Sequence, residues 1–326
     1  MKKPLFLRRA LLIFGLLIPL ALAFAESDPY TIHFYSAYGG AQNIRVEGRV
    51  LKERPAPAAS EKDGKWRNLR RSSRQFFNDE GKNLMLDVSL GETHWTSKTD
   101  DEGYFQLVVA RPKATPDGWQ TLRAASDKIS GEGRLLLVPA ENTLGLISDI
   151  DDTILVSDVL NKRRLLANTF LKNPAQRQAV PGMAELYQSV LARNPEPASA
   201  ALFYLSASPS QIAGSLTDFL ARQNFPPGVL LTKQINREVD KDSLFATMEY
   251  KIGRIETIFA DLPQQRFILV GDDSEKDPET YDAIRSRYPE RVEAIWIRRV
   301  NPDPKRARFA EQLDLQDVLV KADSAK

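Results

Sequence analysis

The hydrophobic rhythm of the chain changes at Asn142, and this change limits what each half can fold into. From Tyr30 to about Leu137 short runs alternate apolar and polar residues, as in Tyr30 to Phe34, Ile44 to Leu51, Leu84 to Val88, Tyr104 to Val109 and Arg134 to Val138. Gly, Pro and Asp turns separate them. Thr99 to Phe105 reads as a turn leading into a strand. This pattern predicts an antiparallel β-sandwich of roughly 110 residues. After Asn142 solid apolar runs (Leu144 to Ser148, Ala201 to Leu205, Val229 to Leu231, Phe267 to Val270, Val292 to Ile297) alternate with helical stretches at Gly182 to Ala192, Ser210 to Gln223 and Tyr250 to Ala260. Strands buried on both faces and joined by crossover helices predict an α/β domain, a doubly wound, Rossmann-like parallel sheet.

Ahead of both lies Met1 to Ala25. It carries Lys2, Lys3, Arg8 and Arg9, then an apolar run from Ala10 to Leu22, then Ala23-Phe24-Ala25. A basic head, a short apolar stretch and an A-x-A ending predict a secretory signal peptide and export to the periplasm. The expected organisation is therefore a leader at 1–25, a β-domain at 26–142 and a catalytic domain at 143–326. Removing the leader takes away four basic and no acidic residues, so the formal charge of +2 becomes −2. Nucleic acid thereby loses its electrostatic support as a partner. The chain has no cysteine, which excludes disulfides, thiolate metal sites and cysteine nucleophiles. Its two histidines, His33 and His94, are remote in sequence from every motif below, so the chemistry rests with carboxylates.

In doubly wound sheets ligands sit beyond the carboxyl ends of the strands, where the winding reverses. The run Leu146 to Ser148 leads there into Asp149-Ile150-Asp151-Asp152-Thr153. Phe267 to Val270 leads into Gly271-Asp272-Asp273-Ser274-Glu275-Lys276-Asp277. Carboxylates packed at buried strand ends repel one another unless a cation neutralises them. Oxygen donors without nearby His or Cys suit a hard ion, Mg²⁺ first. Ser206 and Ser208 follow a strand at the mouth of a helix, where amide groups attract anions. Lys251 opens the helix that precedes the second acidic strand.

Asp149-Ile150-Asp151-Asp152-Thr153, Ser206, Lys251 and Gly271-Asp272 with Asp277 resemble, in order and approximate spacing, the four motifs of the haloacid dehalogenase-like (HAD) phosphatases. The resemblance spans about Leu144 to Val318. It implies that Asp149 is a nucleophile forming an aspartyl-phosphate and that Asp151 is the general acid and base. Thr153 would orient the turn, and Ser206 and Lys251 would bind the phosphoryl oxygens. Mg²⁺ would sit on Asp149, the carbonyl of Asp151 and Asp272, with either Asp273 or Asp277 completing the set.

Within that superfamily the chain is most similar to the phosphatidate phosphatases of the actin-patch-protein type. The residues concerned are Ile147 to Thr153 with Ser157-Asp158-Val159 behind them, Tyr204 to Pro209, and Gly271 through Tyr281, together with Gly48 to Leu51 and Gly103 to Phe105 in the β-domain. The trailing Ser157-Asp158-Val159 is also similar to lipin-type enzymes. The resemblance implies hydrolysis of phosphatidate. A short lid expected from Val156 to Pro181 carries Lys162, Arg163 and Arg164 beside Leu165, Leu166, Phe170 and Leu171, a mixture suited to an anionic phospholipid substrate or membrane surface. A second basic stretch, Pro55 to Asp79, sets Trp66, Leu69, Phe76 and Phe77 against four arginines; it reads either as a membrane-surface helix or as a segment packed on the β-domain. Two other readings stay open: a phosphatase for a soluble periplasmic phosphomonoester, and a non-catalytic binding protein that uses its β-domain.

Overall fold

The computed structural model describes residues 30–52, 80–127, 129–156, 178–234, 247–301, 303–306 and 308–324. The expected leader, the basic stretch Pro55 to Asp79 and the lid residues Lys162, Arg163 and Arg164 lie outside them. Among the described residues no helix is long and apolar enough to cross a membrane.

Seven strands make the first unit: β1 (Tyr30–Gly39), β2 (Asn43–Lys52), β3 (Met85–Leu90), β4 (Thr93–Lys98), β5 (Tyr104–Ala110), β6 (Gly118–Ser126) and β7 (Ile129–Leu137). Their alternation works as the sequence predicts. Ile44, Val46 and Val50 of β2 meet Leu86, Val88, Phe105, Leu122 and Leu135 in one apolar cluster. The turn before β5 is held by Asp100, whose Oδ1 accepts the amides of Glu102 and Tyr104 at 2.9 and 2.8 Å.

The arrangement of these strands differs from the expected pair of stacked sheets. All seven belong to one hydrogen-bonded sheet in the order β4-β3-β6-β7-β1-β2-β5. Every pairing is antiparallel except that of β1 with β7. Ser97 of β4 donates to the carbonyl of Gln106 in β5 at 3.3 Å, so the two edge strands approach each other and the sheet curls like a barrel. A register shift between Phe34 and Ser36 bends β1. At Gly133 the Phe34 ring occupies the space a side chain would need, 2.4 Å from an added Cβ, and this lets the curve tighten.

The second unit runs β8 (Leu144–Ser148), α1 (Met183–Leu191), β9 (Leu202–Pro209), α2 (Ala213–Arg222), β10 (Val229–Lys233), α3 (Thr247–Asp261), β11 (Arg266–Asp272), α4 (Asp277–Arg287), β12 (Val292–Arg298), β13 (Gln312–Asp314) and α5 (Leu315–Ser324). Its six strands are all parallel, in the order β10-β9-β8-β11-β12-β13. Successive residues point to opposite faces. Leu146, Leu202, Tyr204 and Ile268 therefore pack with α1, α2 and α5, while Ile147, Phe203, Phe267 and Leu269 pack with α3 and α4. Each such fully buried side chain contributes about 1.5–3 kcal/mol. The short β13 and the closing α5 extend the sheet beyond the strands read from the sequence.

The winding moves outward from β8 through β9 to β10, then returns to β11 on the other side of β8. A crevice is thus expected at the carboxyl ends of β8 and β11. Asp149 and Asp272 are found there. The two units also share apolar packing. Tyr38 and Leu136 of the first sheet, with Val138 just past β7, belong to the cluster built on β9, β11 and α3. The Tyr38 and Phe203 rings meet edge to face at 4.9 Å.

Candidate active site

After β8 the chain turns tightly. The amides of Ile154 and Leu155 both bond the carbonyl of Ile150, at 3.1 and 3.0 Å. Asp152 takes a left-handed conformation (φ 58°), which aspartate tolerates better than most residues. Its carbonyl accepts Nη1 of Arg298 at 2.6 Å. The turn keeps Asp149, Asp151 and Thr153 at the mouth of the crevice, with Asp149 and Thr153 buried.

Lys251 connects three of the expected motifs. It sits in the first half of α3, is 3% exposed, and donates to Asp149 Oδ1 at 2.7 Å and to Asp277 Oδ1 at 2.5 Å. Thr153 Oγ1 lies 3.1 Å from Asp149 Oδ2 and 3.1 Å from Asp272 Oδ2, bridging the first and last acidic motifs. Carboxylate oxygens of Asp149, Asp272 and Asp277 lie within 4.8 Å of one another, and all three residues are buried.

Three carboxylates around one ammonium leave an excess of negative charge in a dry place. Burial raises the Asp149 carboxyl well above the ordinary range; Lys251 opposes this, and the charges of Asp277, Asp272 and Asp151 add to it. Asp272 is raised to about 7 by burial and then by Asp277, against the hydrogen bond from Ser274. Burial pulls Lys251 down, but Asp149 and Asp277 outweigh it and hold the amine well above its usual value. An all-oxygen, buried and charge-rich donor set of this kind fits a hard divalent cation.

The two residues offered for the last metal position, Asp273 and Asp277, are placed differently. Asp277 opens α4 and turns inward; Gly271 makes this possible, because an added Cβ there would stand 2.4 Å from Asp277 Oδ2. Asp273 points the other way. Its Oδ1 accepts the amides of Val300 and Asn301 at 2.7 and 2.8 Å, anchoring the loop after β12. Asp273 is therefore not one of the clustered carboxylates.

Ser206 and Ser208 do come to the site, with a task the sequence did not suggest. Both hydroxyls donate to Asp151 Oδ2, at 3.1 and 2.9 Å. Ser206 Oγ also accepts the amide of Ser208 at 3.0 Å. They lie within β9, which ends at Pro209, and a 3₁₀ turn at Ser210–Ile212 runs directly into α2, so the helical stretch starts where the sequence places it. Sequence reasoning also missed the support beneath Asp149. Ser148 Oγ donates to the carbonyl of Asp149 at 2.7 Å and lies 2.6 Å from the Tyr187 hydroxyl of α1. Burial pushes that phenol above its ordinary range. Only the apolar face of α1 hinted at Tyr187; nothing in the sequence linked it to Ser148.

With this geometry in place, comparison with known proteins is informative. Residues 144–299 match the family model described as phosphatidate phosphatase APP1, catalytic domain. The likeness is to that catalytic domain and lies in that segment. The segment contains Asp149, Asp151, Thr153, Ser206, Lys251, Asp272 and Asp277. Phosphatidate phosphatase APP1 of Saccharomyces cerevisiae is 34% identical over 155 residues, 48% of this chain and 26% of that protein. An uncharacterised protein of Schizosaccharomyces pombe is 26% identical over 213 residues, 63% of this chain and 34% of that one. The chain spans 26% and 34% of the lengths of these two relatives. Among solved structures, a carbohydrate acetylesterase from Xanthomonas citri overlaps 90% of this chain and 73% of its own. The identity there is 11% and the TM-score 0.31, too loose a likeness to bear on fold or chemistry.

Proposed function

We propose that the chain is a phosphomonoester hydrolase with a HAD-like catalytic domain. It works through an aspartyl-phosphate on Asp149, and its substrate is phosphatidate, converted with water to diacylglycerol and phosphate. The observation that carries this reading is one buried carboxylate, Asp149, clamped by Lys251, with a second, Asp151, held by two serine hydroxyls. The first is suited to attack and the second to proton transfer. The choice of phosphatidate rests on the family and on the S. cerevisiae relative.

In the first half-reaction an Asp149 oxygen bonds to phosphorus as the bond to the glycerol oxygen breaks, and Asp151 gives its proton to the leaving alkoxide. In the second, Asp151 takes a proton from water. That water attacks phosphorus, and the Asp149 carboxylate leaves with phosphate released. Lys251 keeps Asp149 oriented and offers positive charge to the phosphoryl group. Thr153 fixes the distance between Asp149 and Asp272. Asp149, Asp272 and Asp277 would hold Mg²⁺, with the Asp151 carbonyl added by the resemblance. Such an ion would supply charge neutralisation to the phosphoryl oxygens.

The same reading has the chain exported across the inner membrane to the periplasm. The basic head, apolar run and Ala23-Phe24-Ala25 support this.

The test is phosphate release by the chain from Glu26 onward. Phosphatidate in mixed micelles is compared with glycerol 3-phosphate and p-nitrophenyl phosphate, with Mg²⁺ and with EDTA. Mg²⁺-dependent release that favours phosphatidate, lost in a folded Asp149→Asn variant, is the expected result. Release from the soluble esters alone would discard the lipid assignment. Turnover retained by Asp149→Asn would discard the nucleophile.

A further inference from the structure

Strand β2 presents two faces. Ile44, Val46 and Val50 enter the core of the first sheet, and Arg45, Glu47 and Arg49 line the opposite face. A charged strand face ordinarily meets water. Here Arg45 and Glu47 instead pair with side chains of the catalytic unit, Glu47 being 3% exposed, while Arg49 bonds the Glu102 carbonyl within the first unit at 2.7 Å.

Glu47 receives a two-pronged bond from Arg254 of α3, Nη1 to Oε1 at 2.6 Å and Nη2 to Oε2 at 2.5 Å, with Ser36 donating at 3.3 Å. Arg254 lies one helical turn beyond Lys251, and its guanidinium stands 5.9 Å from the ring of Tyr250, the residue before that lysine. Two residues back along β2, Arg45 grips Asp261 at the far end of α3, at 2.6 and 3.2 Å, joined by the Tyr38 hydroxyl at 2.9 Å. Two residues forward, Arg49 lies 4.3 Å over the Tyr104 ring. The hydroxyl of Tyr104 lies 3.2 Å from Ser210 Oγ, just after the strand that carries Ser206 and Ser208.

One strand thus fixes α3 at two points, and its third charged residue stacks on Tyr104, whose hydroxyl reaches Ser210 just past the serine strand. A fork between guanidinium and carboxylate sets direction as well as distance. Burying such a pair gives little net stability against an apolar substitute, so fold stability alone explains its presence poorly. What it does supply is a fixed placement for the helix whose ammonium bridges Asp149 and Asp277.

We infer that the first sheet is a working part of the active site, and that Glu47 is a positioning residue which, through Arg254, sets the Lys251 ammonium between Asp149 and Asp277. This rests on the phosphatase reading for its effect on turnover, but not for the anchoring itself. A displacement of about 1 Å at a reacting centre costs on the order of 100-fold in rate.

The experiment uses the full chain from Glu26 with Glu47→Gln and, separately, Arg254→Lys, which keeps the charge but loses the fork. For whichever ester the unaltered chain hydrolyses, both variants should lose roughly 10- to 100-fold in kcat. KM should stay within about twofold, because the loss falls on the reacting centre rather than on substrate binding. Amide hydrogen exchange across 247–261 should quicken in both without substrate. Unchanged kcat, or a change confined to KM, overturns the positioning role. If Glu47→Gln does not fold, Arg254→Lys decides by the same readings. If the unaltered chain hydrolyses no ester, the phosphatase reading fails on its own and exchange decides: faster exchange across 247–261 upholds the anchoring, and unchanged exchange overturns it.

Discussion

The ammonium of Lys251 and the carboxylate of Asp277 are buried together with 2.5 Å between nitrogen and oxygen. Asp273, four residues earlier, instead lies 3.9 Å from Nη1 of Arg299 and serves the loop at Val300 and Asn301. The two acids should therefore separate cleanly on mutation. Asp277→Asn should cut kcat on the order of 100-fold or more, as removal of a charge-stabilising group from a reacting centre does. Asp273→Ala should strand two backbone amides and lower stability by about 1–3 kcal/mol, with Mg²⁺ binding kept. Steady-state kinetics beside thermal denaturation checks both; the opposite pattern would exchange their roles.

Thr153 has one hydroxyl proton and two carboxylates at equal distance. Thr153→Val keeps the shape and removes the bridge. Loss of about tenfold or more in kcat is expected, since Asp149 and Asp272 would no longer be held in register. Activity equal to that of the unaltered chain would show that the turn after β8 suffices by itself.

Metal binding should be linked to protons. Asp272 is raised to about 7 by burial first and by Asp277 second, so in the metal-free protein it carries a proton at mildly acid pH. A divalent cation held here would need the carboxylate, so its binding should release protons, more at pH 6 than at pH 8, and affinity should fall as pH drops below about 7. The sign for stability follows. A carboxyl raised on folding binds protons better in the folded chain. The metal-free protein should therefore lose stability as pH climbs from the ordinary carboxylate range to about 7. Titration calorimetry in buffers of different ionisation heat measures the first effect, and thermal denaturation with EDTA the second.

Glu47 should act in the opposite sense. Burial works to raise its carboxyl, but the bonds and charge of Arg254 prevail and hold it below the ordinary range. A lowered carboxyl stabilises the fold above its unfolded value, and this contribution is lost as pH falls through the folded value. Stability should therefore drop more steeply below about pH 4.5 in the unaltered chain than in Glu47→Gln. Parallel curves in acid titrations followed by circular dichroism would remove Glu47 from the acid response.

Much of this was legible in the sequence because each feature has a local cause. Asp149, Asp151, Thr153 and Asp272 stand where strand ends put them; Lys251 stands a turn inside a helix that the spacing has it open. The parallel strands declared themselves as apolar runs buried on both faces. Hidden features needed the third dimension. Asp273 and Asp277 have equally plausible spacing, and only the approach of α4 over Gly271 turns one of them inward. Alternation in β2 told which residues share a face, not that the charged face would be covered by α3. Alternation also cannot distinguish two stacked sheets from one curled sheet, because both bury every second residue. The difference lay in a bulge at Phe34 and a missing side chain at Gly133.

The edge-to-face contact of Tyr38 with Phe203 has a practical consequence. Residue 143 is a seam in the chain but not in the solid, since aromatic and aliphatic groups from both sides of it fill the same interior. Cutting the chain there would bare an oily scar on each half, and a hybrid made by swapping the front half would inherit an ill-fitting wall. Calorimetry of the intact chain should record one melting peak rather than two.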